Sequence, residues 1–311
     1  MSKFSEEIAD HVRERMLTPE VFARRQARVF WVKKAADPDY TTFVAEHPDY
    51  EDAVPAVYTT LTAAMAATRH DDRILLFGGD WTGNYTTPAN TVARNVSVIA
   101  LGAATSGVTG RAWAGATTGS SPIFTIQARG WRISGIELVP GSTSSAITLS
   151  GTNANYFQVD NCSTWTGKYF LLHEGTHFVK VLNNHVTNLN ATGSIGIGCL
   201  TGIGGQHWDV RDNFFSDNYS HINFGSSRGL FGSRIQGNIF VKGGVWRTAT
   251  VLLDNRNTSD TGGCAIVGNY FDCTKTQYGD DSSTAFIRTQ SRDFGAGNMC
   301  NDGVPAADIS H

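Results

Sequence analysis

Apolar residues in this chain recur in short alternating runs, the signature of strands rather than amphipathic helices. Three runs share one setting. "WDVRDNFFSDN" (208–218), "SRIQGNIFVKG" (233–243) and "CAIVGNYFDC" (264–273) each carry a polar residue or Gly, then Asn, any residue, and Phe. Alignment on Asn213 extends this to a column of Asn161, Asn184, Asn213, Asn238, Asn269 and Asn298, spaced 23, 29, 25, 31 and 29 residues apart. The gaps vary while the local pattern holds, as in a solenoid whose loops take insertions. Three residues before the Asn stand Val181, Val210, Ile235 and Ile266; two after it stand Val186, Phe215, Phe240 and Phe271. Apolar period two on both sides of one Asn predicts two short strands joined by a bend. The column Asn is expected at the left-handed bend itself, which Asn tolerates well. Before it come Asp160, Asn183, Asp212, Gly237, Gly268 or Gly297, all turn formers. Stacked amides can hydrogen-bond along such a column.

A third strand fits between successive Asn positions: "SAITLSG", "KYFLLHEG", "SIGIGCLTG", "SHINFGS", "TATVLLDN" and "TAFIRTQ", with "RILLFGG" and "SPIFTIQA" before them. Three strands per turn and one Asn bend predict an all-β chain, a right-handed parallel β-helix of roughly eight rungs at about 4.8 Å each. A β-sandwich would not need one Asn column in a fixed setting. Ahead of the first strands, Leu61, Ala64, Met65 and Thr68 share one helical face. A helix there would cap the open end of the solenoid.

Residues 1–34 differ. Eight Lys or Arg face five acids, and Phe4, Ile8, Val12 and Met16 make one helical stripe. The expected organisation is a helical arm at 1–34, a Pro- and Asp-rich linker at 35–54, the β-helix with its capping helix at 55–300, and a tail at 301–311. The arm's stripe suits docking into a groove of a larger assembly; a second cap on the rod is the alternative.

The order "YTTLTAAMAA", then "DDRILLFGGDWTGNY", then "NVSVIALG" resembles the opening of pectin-lyase-like right-handed β-helix proteins. That resemblance implies the fold over about residues 55–300 and leaves function open, because the fold hosts lyases, hydrolases, adhesins and viral spikes. An arm followed by a short β-helix resembles bacteriophage tailspikes, tail fibres and head-decoration spikes. It implies a structural virion protein, made in the host cytoplasm and anchored to capsid or tail by its arm, with a host-surface glycan within reach. A carbohydrate-active tailspike, either glycoside hydrolase or polysaccharide lyase, is the alternative.

Candidate chemistry is sparse. Glycoside hydrolysis needs two carboxyl groups about 5.5 Å or 6.5–9.5 Å apart. With strict alternation, the outward positions of the third strand are Thr148, Leu171, Gly198, Asn223, Leu252 and Arg288, none of them acidic. The best acid pair is Asp160 with Asp212, both before the Asn column and two rungs apart, although Asp-Asn at a bend is ordinary turn chemistry. Leu171 and Leu252 on an outer face point to a homo-oligomer, and viral spikes of this fold imply a trimer. His173, His177, His185, His207 and His221 are scattered and are expected to be hydrogen-bonded rather than catalytic. The five cysteines have no metal-ligand spacing, and no cofactor motif is present.

The net charge of −3 gives no overall field for nucleic acid. No run of 18 apolar residues could span a membrane. The opening "MSKFSEEIADHVRERMLT" lacks the apolar core of a secretory signal.

Overall fold

Each repeat begins with an alternating triplet whose middle residue is fully buried, such as Val159 in Gln158–Asp160 or Val210 in Asp209–Arg211. Burial on one side and solvent on the other makes a strand, and a residue with positive φ then turns the chain into the next one. We describe a computed structural model, over residues 27–101, 112–115, 119–189, 191–199, 204–224, 230–241, 251–255, 263–272, 287–288 and 293–300. Its strands form three parallel sheets of 11, 9 and 8 strands, each strand pairing with its equivalent one turn away. This is a parallel β-helix of about eight turns. The first sheet runs through Arg73–Leu76, Ser97–Ala100 and Arg132–Ser134 to Phe294–Ala296. The second runs from Gly79–Asp80 to Met299–Cys300, and the third from Tyr85–Thr86 to Ile287–Arg288.

The bend between first and second sheets holds the Asn ladder. Asn184, Asn213, Asn238, Asn269 and Asn298 are all buried. The Oδ1 of Asn213 accepts from both the backbone N–H and the Nδ2 of Asn184, each at 2.9 Å. The Nδ2 of Asn213 donates to the Val181 carbonyl at 2.8 Å and to the Asn238 Oδ1 at 2.9 Å. The same contacts repeat from Asn238 to Asn269 and from Asn269 to Asn298. Beside the ladder, Phe215, Phe240 and Phe271 stack at 5.2 and 4.9 Å between ring centroids.

Two expectations about this column are corrected. Asn161 is not in it: Asp160 pairs with Leu182, so Asn161 stands level with Asn183, and the ladder position of that rung is Cys162. The backbone N–H of Cys162 donates to the Asn184 Oδ1 at 3.0 Å. Nor do the ladder residues make the left-handed turn. The residue before each does: Gly135, Asn161, Asn183, Asp212, Gly237, Gly268 and Gly297 all have φ between 53° and 74°.

The third sheet departs from strict alternation. Both Phe170 and Leu171 are fully buried, as are His221 and Ile222. Two consecutive residues therefore face inward, and the outward position is Leu172, in register with Thr148, Gly198 and Asn223. Leu171 belongs to the core. Backbone register puts Asp254, not Leu252, opposite Asn223, so this column is not free of acids. "RILLFGG" belongs to the first sheet.

The helix Leu61–Ala67 (α2) caps the first rung with Leu61, Ala64 and Met65 buried, and Thr68 beyond it is buried as well. The rod starts earlier than the sequence pattern indicates. Val29–Val32 is a first-sheet strand beside Arg73–Leu76 rather than part of a helical arm. Arg28 ties it down through the Ala67 carbonyl and Asp72. The expected linker carries a helix, Tyr40–Glu46 (α1), whose Phe43 packs on Trp31 and Phe77. Phe4, Ile8, Val12 and Met16 lie outside the described residues.

His173 is fully buried in the third sheet, in register with Leu149, against Trp208 and Phe224. Neither of its ring nitrogens has a hydrogen-bond partner among the described residues, contrary to expectation. Burial, with a smaller contribution from His177, pushes its pKa down to about 3.

Two measurements test this architecture. Asn213→Ala removes the acceptor of the Asn184 N–H and should cost roughly 1–3 kcal/mol, while Asn161→Gly, at an exposed left-handed position, should stay within about 0.5 kcal/mol. Equal melting temperatures for the two variants would contradict the ladder. Because His173 binds a proton more readily when unfolded, stability should be complete above about pH 6.5. It should fall at roughly 1.4 kcal/mol per pH unit as the solution is acidified toward pH 3. His173→Leu, matching Leu149 one rung away, should flatten that slope; an unchanged slope would refute the assignment.

Candidate functional site

The outward positions of the first sheet lie four and two residues before each ladder position. In strand register the outer row reads Arg73, Ser97, Arg132, Gln158, Lys180, Asp209 and Arg234. The inner row beside it reads Leu75, Ile99, Ser134, Asp160, Leu182, Arg211 and Gln236. Five cations (Arg73, Arg132, Lys180, Arg211, Arg234) face two acids (Asp160, Asp209), a net +3 on one face of a chain whose total is −3. Asp160 pairs with Arg132, and Asp209 with Arg211 at 2.7 Å. Arg73, Lys180 and Arg234 form no ion pair with another described residue. All three are exposed on the outer row, and with the partly solvated Arg132 between Arg73 and Lys180 they form a basic strip, interrupted between Lys180 and Arg234 by Asp209, which Arg211 pairs.

Asp160 sits at the centre of this face but is consumed by it. Its Oδ1 accepts from the Arg132 Nε at 2.7 Å and the Gln158 Nε2 at 2.8 Å. Its Oδ2 accepts from a second Arg132 nitrogen at 2.7 Å, the Ser134 hydroxyl at 2.8 Å and the Asn161 Nδ2 at 2.8 Å. An ionised carboxylate has about four acceptor sites, and five donors fill them. Burial pushes the Asp160 carboxyl up, but the hydrogen bonds from Arg132, Ser134 and Gln158 outweigh it and hold the pKa below the usual aspartate value. A group so occupied is unsuited to take a proton or attack a sugar.

The expected pair with Asp212 dissolves in the same register. Asp160 ends a strand and is buried, whereas Asp212 is the exposed left-handed residue of another column, level with Asn161 and Asn183. Glu174 follows the third-sheet strand Tyr169–His173, and Asp254 ends Val251–Asp254 three rungs on, a backbone separation of about 14 Å by rung spacing.

The histidines also lie apart. His221 is buried against Asn218, His185 packs edge-on against Phe214, and His207 stacks on Phe178, which stacks on Tyr156. Arg129 covers the outer face of Tyr156, and Gly232 abuts His207, so this stack offers ring edges rather than an open face for a sugar. Cys162 and Cys264 are buried free thiols, Cys162 pushed up to about 12 by burial. Among the described residues no group of three His, Cys, Asp or Glu side chains could hold a metal ion. A cavity of about 310 Å³ beside α2 is lined by Thr62, Met65, Ala66, Tyr85, Thr86 and Pro88, without an acid or base.

The basic strip was missed by pattern reading, which followed the inward columns. Its signal was present: Lys180 and Arg234 each stand four residues before a ladder Asn.

If Asp160 serves structure, Asp160→Asn should cost roughly 1–2 kcal/mol, the low end for a broken pair because Arg132 is partly solvated. Asp212→Asn should be neutral within about 0.5 kcal/mol. Since the Asp160 pKa is depressed by folding, its contribution is present at neutral pH and lost as pH falls below the usual aspartate value. Equal chemical-denaturation midpoints for the two variants at pH 7 would count against this role.

No protein-family model matches the chain, and no curated protein matches it by sequence. Solved structures do share its fold. An alginate lyase from Paenibacillus sp. str. FPU-7 superposes over 79% of this chain and 93% of its own, with 14% identity and a TM-score of 0.51. Escherichia coli ybhc covers 90% and 86%, with 11% identity and a TM-score of 0.52. A mutant pectin methylesterase in complex with a hexasaccharide covers 92% of each chain, with 9% identity and a TM-score of 0.50. At such identities the likeness is one of fold alone, a parallel β-helix.

Proposed function

We propose that this chain is a non-catalytic β-helical rod of a bacteriophage virion, anchored by its N-terminal segment to capsid or tail, whose first-sheet face binds an anionic host-surface glycan. The observation that carries the glycan is the basic strip. Cations concentrated along one straight face of a net-negative chain present a linear polyanion with contacts in sequence along the rungs. The saturation of Asp160 supports binding over cleavage. The particle is proposed from the resemblance of an arm-plus-rod chain to phage spikes.

A second reading, a carbohydrate-active enzyme, is favoured by the alginate lyase and the pectin methylesterase that share the fold. Its chemistry would have to come from residues other than the Asp160–Asp212 pair.

Retention on immobilised alginate, with neutral dextran and duplex DNA as controls, tests the proposal. Wild type should be retained on alginate alone and released by salt, since exposed charges are screened. Lys180→Glu with Arg234→Glu should weaken retention at least tenfold. Retention unaffected by that double change, or equal on DNA, would overturn the glycan-binding face. New sugar ends or unsaturated products appearing in the alginate would favour the enzyme instead.

A further inference from the structure

The outer face of the second sheet has the opposite character. The residue after each ladder position points outward, giving a row of His185, Phe214, Ile239, Tyr270 and Met299 in strand register. From Phe214 onward it is apolar over four successive rungs. Ile239, Tyr270 and Met299 are 43%, 38% and 41% exposed. Across the bend on the last rung, Phe294 is 56% exposed. The fold does not need these side chains, because Phe215, Phe240 and Phe271 already fill the interior behind them. Single exposed apolar residues are ordinary, but a continuous row marks an interaction surface.

We propose that a second copy of this chain packs on the row through the same row. The first reason is pitch. Side chains repeating every 4.8 Å along a straight line interdigitate best with a partner of the same repeat, which another parallel β-helix has and a helix of 5.4 Å pitch lacks. The second is charge. The row from Phe214 to Met299 carries none, whereas the first-sheet face carries net +3 and would repel its own copy. Pairing through the apolar row keeps the two basic faces apart.

The third reason is symmetry and area. Row against row is self-complementary and closes on a two-fold axis without propagating into a filament. Four half-exposed side chains supply on the order of 300 Å², short of the roughly 800 Å² per partner of a standard interface. The adjoining outward row extends the contact with Thr187 and Val241, which are partly exposed, and with Trp165, 48% exposed. This replaces the oligomer contact expected from Leu171 and Leu252: Leu171 is buried, and Leu252 is out of register with the outward column.

Sedimentation of the full chain tests this directly. Wild type should associate, with a melting temperature that rises with protein concentration. Ile239→Lys with Tyr270→Lys, and the milder Ile239→Thr with Tyr270→Thr, should each weaken association at least tenfold and leave a concentration-independent melt. Both should keep the wild-type far-ultraviolet circular dichroism, since the changed side chains face solvent. Lys180→Glu with Arg234→Glu should leave association intact. A wild type that stays monomeric at every concentration would overturn the proposal. Correctly folded row variants that associate as tightly as wild type would overturn it as well.

Discussion

The rod depends on one requirement: a backbone N–H turned inward at each bend must find an acceptor. At the bends before Asn184, Asn213, Asn238 and Asn269, that N–H points away from the sheet pairing, into the interior. An unpaired buried N–H costs as much as a lost hydrogen bond. The side-chain carbonyl of the Asn one rung further on supplies the acceptor, and its amide in turn donates to a core carbonyl and to the following Asn. Each rung therefore completes the one before it. A buried polar chain of this kind is favourable only when every member is satisfied, so the ladder tolerates loops of varied length between bends but no slip at the bend.

Because the interior is fixed by this repeat, variation is left to the outward rows. On the first sheet those positions are rich in charge, and the carboxylate best placed for chemistry, Asp160, is spent on holding Arg132 and Asn161. On the second sheet the row one residue after each ladder position is apolar from Phe214 on. One scaffold thus presents two faces of different chemistry around a single bend, both written at fixed offsets from the same Asn.

The ladder was legible because a polar residue recurring among apolar ones, with Val or Ile three before and Phe two after, fits a stacked bend and little else. Its first member was misread because Asp160-Asn161 imitates the turn dipeptides further on. Counting from Val159 rather than from the Asn would have placed Cys162 in the column. The third sheet was misphased because its strands bury two residues in succession, Phe170 with Leu171 and His221 with Ile222, which no rule of alternation anticipates. The strand Val29–Val32 was hidden among basic residues and pairs with a segment more than 40 residues away. The outer rows were readable in principle, four before and one after each ladder Asn, once attention moved from what the repeats bury to what they expose.

Native-state hydrogen exchange of the backbone amides of Asn184, Asn213, Asn238 and Asn269 tests the central claim most directly. If the ladder holds the rungs together, these four amides exchange only when the rod unfolds, with one shared free energy equal to that of global unfolding. Fast or unequal exchange at these positions, beside protected sheet amides such as those of Val181 and Val210, would show that the bends open independently and that the sheets, not the asparagines, carry the rod.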